Sequence, residues 1–242
     1  METVMVRGRY KIVRVLEAGD DYAFAEAVDI TERETPVRLL NIYEGAWLPI
    51  YARLFSEIKD CPAFCEAFLA EESLTAVFRP CGGVPIDRVF CRGADWSWRD
   101  RLAFAEQLLH QALLLADLPP AVGCAALLAD NVRVDAREKR IALRFRIHPM
   151  EAMNARELAL LASDHARKIL APRFRQGDAE RAFCRRLERG DFPSIVPLYA
   201  GWHRAVEDIT VEYEALDQKN AFKRWFAFLW KNIKRAFRRN RR

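Results

Sequence analysis

A serine, a histidine and a carboxylate near the C-terminus are the first side chains to weigh as catalytic groups. Ser194, His203 and Glu207 fall within one predicted helix, and the last two are four residues apart on one face of it. A hydroxyl activated by an imidazole that a carboxylate orients is the chemistry of nucleophilic catalysis. The same spacing is more typical of a pair on a helix surface. We therefore predict no nucleophile here.

Six cysteines raise the question of a metal site. Cys61 and Cys65 are four residues apart, and Cys81 and Cys91 follow at an irregular distance. A structural zinc site prefers two close pairs of ligands, and none of the four histidines completes such a set. We interpret the cysteines as reduced, mostly buried thiols of a cytoplasmic protein, with a metal site as the alternative. We expect no metal and no cofactor.

The segment 219–242, called the tail below, concentrates positive charge. It holds ten basic residues and no acidic one, although the net charge of the 242 residues is only +5. Its apolar residues recur at intervals of three and four, which predicts one wide apolar stripe along a helix. The stripe consists of Phe222, Trp225, Phe226, Leu229, Trp230, Ile233 and Phe237, and it is flanked or opposed by Lys223, Arg224, Lys231, Lys234, Arg235 and Arg238.

Bulky aromatic residues on one face and only basic residues on the other are typical of a helix that lies in a membrane interface. We predict that the tail contacts an anionic membrane surface, where each basic side chain contributes about 1 kcal/mol. Three alternatives stay open: the tail packs on the domain, fills a groove of a partner protein, or contacts nucleic acid. We expect no transmembrane helix and no signal peptide, although the basic end would also suit a natural chain that continues into a membrane span.

Hydrophobic periodicity divides the rest of the chain into strands first and helices later. Alternating apolar residues predict strands, and Ser97 is a predicted N-cap of a long helix. The order is five strands with one short helix and then mainly helices, which indicates an α+β fold in two lobes. The predicted strands are 10–16, 22–28, 37–42, 64–69, 73–79, 132–134 and 141–145, and the other predicted helices are 48–58, 154–170, 178–189, 194–216 and 221–239.

Several stretches, in order, resemble the protein kinase family. YKIVRVLEAGDDYAFAEAVD (10–29) is similar to its first two strands and glycine-rich loop, and PVRLLNI (36–42) to its third strand. SLTAVFRPCGGVPIDRVF (73–90) resembles the fifth strand and hinge, and LLADNVRVDAREKRIALRF (127–145) the catalytic loop and the strands after it. The resemblance implies a kinase-like two-lobed domain with a five-stranded antiparallel N-lobe (1–80) and a reduced helical C-lobe (81–218), followed by the tail.

The glycine-rich loop that this resemblance assigns does not suit phosphate binding. Phosphoryl transfer needs phosphates cradled by backbone amides, a lysine on them, acids that hold Mg²⁺ and an acid that orients the hydroxyl. Of the three glycines in the loop only Gly19 is present. Asp20 and Asp21 follow it, and two carboxylates there would repel a triphosphate.

The remaining positions of the resemblance also lack the required groups. Leu40 stands at the place of the lysine and Ala126 at that of the catalytic acid. The metal-binding motif would fall within 143–146, where no acid is present, and Asn131 alone is retained in the catalytic loop. The resemblance therefore implies a pseudokinase with a degenerate nucleotide cleft and no catalytic residue.

We predict a catalytically inactive, pseudokinase-like scaffold or binding module in the cytoplasm, peripheral at the inner face of the membrane. We expect a protein partner, which the sequence does not identify, and neither nucleic acid nor a small-molecule substrate. The architecture resembles the kinase-like cytoplasmic subunit of bacterial type VII secretion systems, which implies a bacterial protein. Two alternatives stay open: a divergent ATP-dependent kinase or other enzyme with an unrecognised site, and a non-kinase α+β protein-interaction domain.

Overall fold

The N-terminal part of the chain is an antiparallel sheet with one helix against it. The computed structural model describes residues 4–91, 94–172 and 176–218. The strands are β1 (Met5–Val6), β2 (Tyr10–Ala18), β3 (Tyr22–Asp29), β4 (Val37–Tyr43), β5 (Phe64–Ala70) and β6 (Ser73–Phe78), and helix α1 spans Trp47–Ser56. The six strands lie in the order β1-β2-β3-β4-β6-β5, and α1 packs against β4, β5 and β6.

This sheet curls until its opposite edges meet. Arg9, beside β2, donates from Nη1 to Oε1 of Glu66 on β5 at 2.9 Å. The ring of Tyr10 stacks on that of Phe68, with 6.0 Å between the centroids. The curl encloses a small hydrophobic core made of Tyr10, Ala27, Leu40, Phe68 and Val77. One face of the sheet is therefore filled without any contribution from the C-terminal part.

The C-terminal part is helical and surrounds a small antiparallel sheet. That sheet has the order β7 (Val84–Pro85), β8 (Val132–Asp135) and β9 (Arg140–Leu143). The helices are α2 (Ile86–Val89), α3 (Trp98–Leu115), α4 (Pro120–Ala126), α5 (Ala155–Ile169), α6 (Asp178–Arg189) and α7 (Ile195–Asp217).

Helix α3 lies at the centre of the C-terminal lobe. Ser97 caps it as predicted, because its hydroxyl oxygen accepts a hydrogen bond from the backbone N–H of Asp100 at 3.1 Å. An apolar stripe of α3 is buried, and the helix packs against α5 and α7; the stripe consists of Leu102, Ala105, Leu108, Leu109, Ala112 and Leu115. The core that this stripe begins continues across the lobe boundary to Tyr51, Phe55 and Phe78. The two lobes therefore share one hydrophobic core.

The α+β, two-lobed architecture is as predicted, with differences in single elements. The short strand β1 adds a sixth strand to the N-terminal sheet, and α4 begins at Pro120, where no helix was predicted. The predicted tail helix 221–239 lies outside the described residues. Within the described ranges, no helix is both long and apolar enough to cross a membrane.

Candidate functional site

Strand β4 presents Asn41, and not Leu40, to the space between the lobes. Successive side chains of a strand point to opposite faces. Leu40 belongs to the small core inside the curled sheet, whereas Leu39 and Tyr43 belong to the core that the two lobes share. The assignment of Leu40 to the cleft is therefore corrected: Asn41 is the polar residue of β4 that lies in it.

Asn41 joins the N-terminal sheet to the C-terminal lobe through both ends of its buried amide. Its Nδ2 donates to the carbonyl of Phe145 at 3.0 Å. Its Oδ1 accepts from the N–H of Ile147 at 2.7 Å and from the hydroxyl of Tyr22 at 2.9 Å. We call 144–150 the bridging segment, because its backbone supplies these partners. An uncharged amide thus bonds to backbone where the kinase resemblance expects a lysine that binds phosphate.

Two stacked tyrosines extend this connection along the bridging segment. The rings of Tyr43 and Tyr51 lie 4.3 Å apart at 10°. Tyr43 donates its hydroxyl to the carbonyl of Ile147 at 2.6 Å, and the hydroxyl of Tyr51 donates to the carbonyl of His148 at 3.4 Å and accepts from the N–H of Met150 at 3.1 Å. Backbone groups that are buried without partners cost free energy, so these bonds hold the segment against the sheet.

Aromatic packing fills the interior behind these hydrogen bonds. Phe145 of the bridging segment stacks on Phe78 of β6, with 5.1 Å between the ring centroids and 4° between the planes. Both side chains are buried. Such a contact contributes about 0.5–1.5 kcal/mol beyond the burial of area. Side chains of the protein itself therefore occupy the inner part of the space between the lobes.

The turn between β2 and β3 contains the three residues predicted for the degenerate phosphate loop. The N–H of Gly19 donates to the carbonyl of Tyr22 at 2.8 Å, which closes the turn. Gly19, Asp20 and Asp21 are all exposed. A Cβ added at Gly45, in the loop before α1, would meet Oδ1 of Asp21 at 2.7 Å. Asp21 therefore lies against the loop before α1.

Ion pairs connect the end of β2 to the bridging segment. Glu17 lies 3.5 Å from Nη1 of Arg146 and 3.2 Å from Nε2 of His148. The other terminal nitrogen of Arg146 lies 3.4 Å from Oδ2 of Asp130. These groups are partly exposed, so each pair contributes little stability by itself. Together they hold the turn between β2 and β3 close to the C-terminal lobe.

The end of α4 places apolar groups where the resemblance assigns the catalytic acid. Cys124, Ala125 and Ala126 are fully buried, and burial raises the pKa of the Cys124 thiol to about 11. Asn131 is also buried, and its Nδ2 donates to the carbonyls of Ala125 at 2.7 Å and Arg146 at 2.8 Å. Asn131 therefore connects the end of α4 to the bridging segment.

Arginines lie on the side of the cleft where a magnesium site would need carboxylates. The guanidinium carbon of Arg144 lies 4.9 Å from the centroid of the Phe24 ring. Arg133 donates from Nη2 to the carbonyl of Gly83 at 2.7 Å. Burial, with Arg133 and Arg146 nearby, lowers the pKa of Arg144. This region favours an anion over a cation.

The other candidate groups do not assemble into a site. His203 lies 3.7 Å from Glu106 of α3, and Ser194 is the residue before the first turn of α7. The six cysteines are free thiols. Across the described ranges, no three His, Cys, Asp or Glu side chains lie in positions to hold a metal ion.

Sequence reasoning did not find the tyrosines that hold the bridging segment, or the role of Asn41. One signal was available for Asn41, since it is a polar residue in the middle of an apolar strand. Tyr43 and Tyr51 carry no such signal, because tyrosine is common in strands and in cores. The tail residues predicted to contact a membrane lie outside the described residues.

No protein-family model and no curated protein matches this chain, but solved structures do. An apo pseudokinase matches with 10% identity and a TM-score of 0.53 over 80% of this chain and 91% of that one. Rad53 1–466 in complex with AMP-PNP matches with 14% identity and a TM-score of 0.55 over 80% of this chain and 65% of that one. The Mycobacterium tuberculosis PknI kinase domain matches with 13% identity and a TM-score of 0.55 over 85% of this chain and 99% of that one.

Identities this low establish the fold and leave the activity open. The structures that match include a pseudokinase and kinase domains. The resemblance to the type VII secretion subunit stays a prediction. What the curled antiparallel sheet, the helical lobe and these matches establish together is that the chain has a protein kinase-like fold.

Proposed function

We propose that this chain is a catalytically inactive, kinase-like binding module that its basic tail holds at an anionic membrane surface. Its folded part binds another protein, and the tail determines where that happens. The proposal starts from the kinase-like fold. The cleft residues support inactivity, and the residues of the tail support membrane contact.

The proposed lack of catalytic activity rests on one observation: the chain's own bridging segment is hydrogen-bonded across the cleft. Asn41 and Tyr43 donate hydrogen bonds to backbone carbonyls of this segment, and Phe145 fills the interior beside them. The segment brings Arg144, a cation, to the place where phosphoryl transfer needs an acid that holds Mg²⁺. Ala126 offers no side chain that could orient a hydroxyl.

The membrane part of the proposal rests on the sequence of the tail and on the place where the folded part ends. The last described turn of α7 is fixed to the N-terminal end of α3, because Asp217 accepts hydrogen bonds from Trp98 Nε1 at 2.9 Å and from Arg99 at 3.1 Å. The tail therefore starts from an anchored helix end. Ten basic residues around an aromatic stripe would then bring this end of the C-terminal lobe to the membrane.

The proposed lack of catalytic activity is tested with the full chain, ATP and labelled phosphoryl acceptors. We expect no phosphoryl transfer, and no rise in the unfolding temperature with Mg²⁺ and ATP beyond that with ATP and EDTA. A working site saturated about 100-fold over its Kd would stabilise the fold by about 2.7 kcal/mol, which is roughly 5–10 °C for a chain of this size. The divergent-kinase alternative predicts that Mg²⁺-dependent rise and measurable transfer, and either result would overturn the proposal.

A further inference from the structure

Arg133 and Arg144 lie on one face of the small C-terminal sheet. In the ladder of β8 and β9, Arg133 pairs with Ala142, so Arg144, two residues further on, is its diagonal neighbour. Diagonal neighbours of an antiparallel ladder are about 7–8 Å apart, within reach of long side chains. Above them the ring of Phe24 covers the Arg144 guanidinium. The N-terminal sheet therefore covers Arg144, and both arginines are partly removed from water.

Neither cation has a carboxylate partner among the described residues. Arg133 hydrogen-bonds to a carbonyl, and its buried Nε has no partner. Arg144 contacts an aromatic ring. Glu26 acts on Arg144 from a distance, but it is itself paired with Arg14 at 3.2 Å. Two cations that are partly removed from water repel each other, and this costs free energy unless an anion compensates it.

The positive charge of the neighbouring Arg146 is compensated by acidic side chains of the same chain. Its terminal nitrogens lie close to Glu17 and Asp130. Among the described residues, two acids pair with Arg146, and none pairs with Arg133 or Arg144. Arg144, beneath Phe24, and Arg133, beside Gly83, therefore differ from Arg146 in having no carboxylate partner among the described residues.

We propose that Arg133 and Arg144 form a binding site for a small phosphate-bearing oxyanion, which enters between Phe24 and Gly83 and needs no divalent metal. Two guanidinium groups offer several donors to the oxygens of a phosphate or diphosphate, and such charge-assisted bonds are the strong ones. Phosphate is favoured over a carboxylate because its charge matches two cations better. This site goes beyond the proposed function, since inactivity and membrane contact do not require it.

Calorimetric titration of the full chain with sodium pyrophosphate in EDTA tests the site, with inorganic phosphate and acetate as comparison arms. We expect pyrophosphate to bind, phosphate to bind more weakly and acetate not to bind. R133Q and R144Q should each weaken pyrophosphate binding at least 10-fold. R140Q removes the same charge from an exposed residue of the same hairpin, and R238Q removes it from the tail, so both should bind like the parent chain.

A second variant keeps the test decisive if either glutamine variant folds poorly. Ala142 shares the face of Arg133, so A142E places a carboxylate beside the two guanidiniums. We expect A142E to raise the unfolding temperature and to abolish pyrophosphate binding. The inference is overturned if pyrophosphate does not bind to the parent chain, if R144Q and A142E bind it normally, or if R238Q loses binding as R144Q does. None of these results bears on phosphoryl transfer, which tests the proposed function separately.

Discussion

At the scale of single residues, the Asn41 amide makes two hydrogen bonds between the lobes and a third to Tyr22. Replacement by leucine keeps the size of the side chain but removes its hydrogen bonds to Phe145, Ile147 and Tyr22. Buried groups left without partners cost about 1–3 kcal/mol each. We expect N41L to lower the free energy of unfolding by about 3 kcal/mol or more, measured by denaturant unfolding.

A buried hydroxyl on the neighbouring strand provides the control for N41L. Thr75 of β6 is buried, and its hydroxyl has no hydrogen-bond partner. T75V should therefore be neutral or slightly stabilising. Equal stabilities for N41L and T75V would contradict the role assigned to the Asn41 amide.

The buried carboxylate Asp29 gives the fold a pH dependence. Arg9 donates to both of its oxygens, at 3.0 and 2.7 Å. This hydrogen bonding, together with that from Thr31, holds the pKa of Asp29 well below its usual range. A carboxyl whose folded pKa is lowered stabilises the fold above its unfolded pKa of about 3.9, and this contribution is lost as the pH falls through the folded pKa.

Asp29 Oδ2 lies 2.7 Å from Nη2 of Arg9 and 4.0 Å from Nη2 of Arg38. We expect D29N to destabilise the fold by about 3 kcal/mol at pH 7, because it removes this buried partner of the two cations. The difference from the parent chain should shrink as the pH falls below about 4. D208N, a change at an exposed aspartate of α7, serves as the control. A D29N penalty that stays constant down to pH 2 would rule out the ion pair as its cause.

The sequence predicted the type of several cleft residues better than their direction. Ala126 and Asn131 are both buried, and Asn131 donates a hydrogen bond to the bridging segment. The assignment of Leu40 to the cleft was wrong by one position, because a register shift of one residue exchanges the two faces of a strand. Arg133 and Arg144 share one face of the sheet because of the register of β8 and β9, and no local pattern in the sequence specifies that register.

At the scale of elements, the start of α5 offers a direct test of local stabilisation. Asn154 accepts hydrogen bonds from the N–H groups of Arg156 and Glu157 at 2.9 and 3.2 Å, and Glu157 accepts one from the N–H of Asn154 at 2.7 Å. Removing such a capping box costs about 1 kcal/mol. We expect N154A to show this loss in thermal unfolding and E151A, at an exposed residue before the helix, to show none.

The long elements follow from the sequence, whereas the two-residue strands do not. The strands β2 to β6 and the helices α3, α5, α6 and α7 have periodic patterns several residues long. Strands of two residues, such as β1 and β7, have no pattern to detect. Pro120 opens α4, where no helix was predicted, because proline suits the first turn of a helix.

At the scale of the whole molecule, the shared core makes the two lobes one cooperative unit. Tyr43 and Phe78 of the N-terminal sheet belong to the same core as Leu108 of α3 and Trp202 of α7. Protein-binding surfaces must therefore lie on the outside of this unit or on the tail. The proposed function then depends on what the tail contacts, because this segment has ten basic residues and no acidic one.

The most direct test is flotation of the full chain with neutral and anionic vesicles at low and high salt. W225E with W230E places two glutamates in the predicted apolar stripe of the tail. V196E with V211E makes the same kind of change at two exposed residues of α7. We expect the parent chain and the α7 variant to float with anionic vesicles at low salt and the tail variant not to float. Flotation of all three alike, or of none, would contradict this expectation.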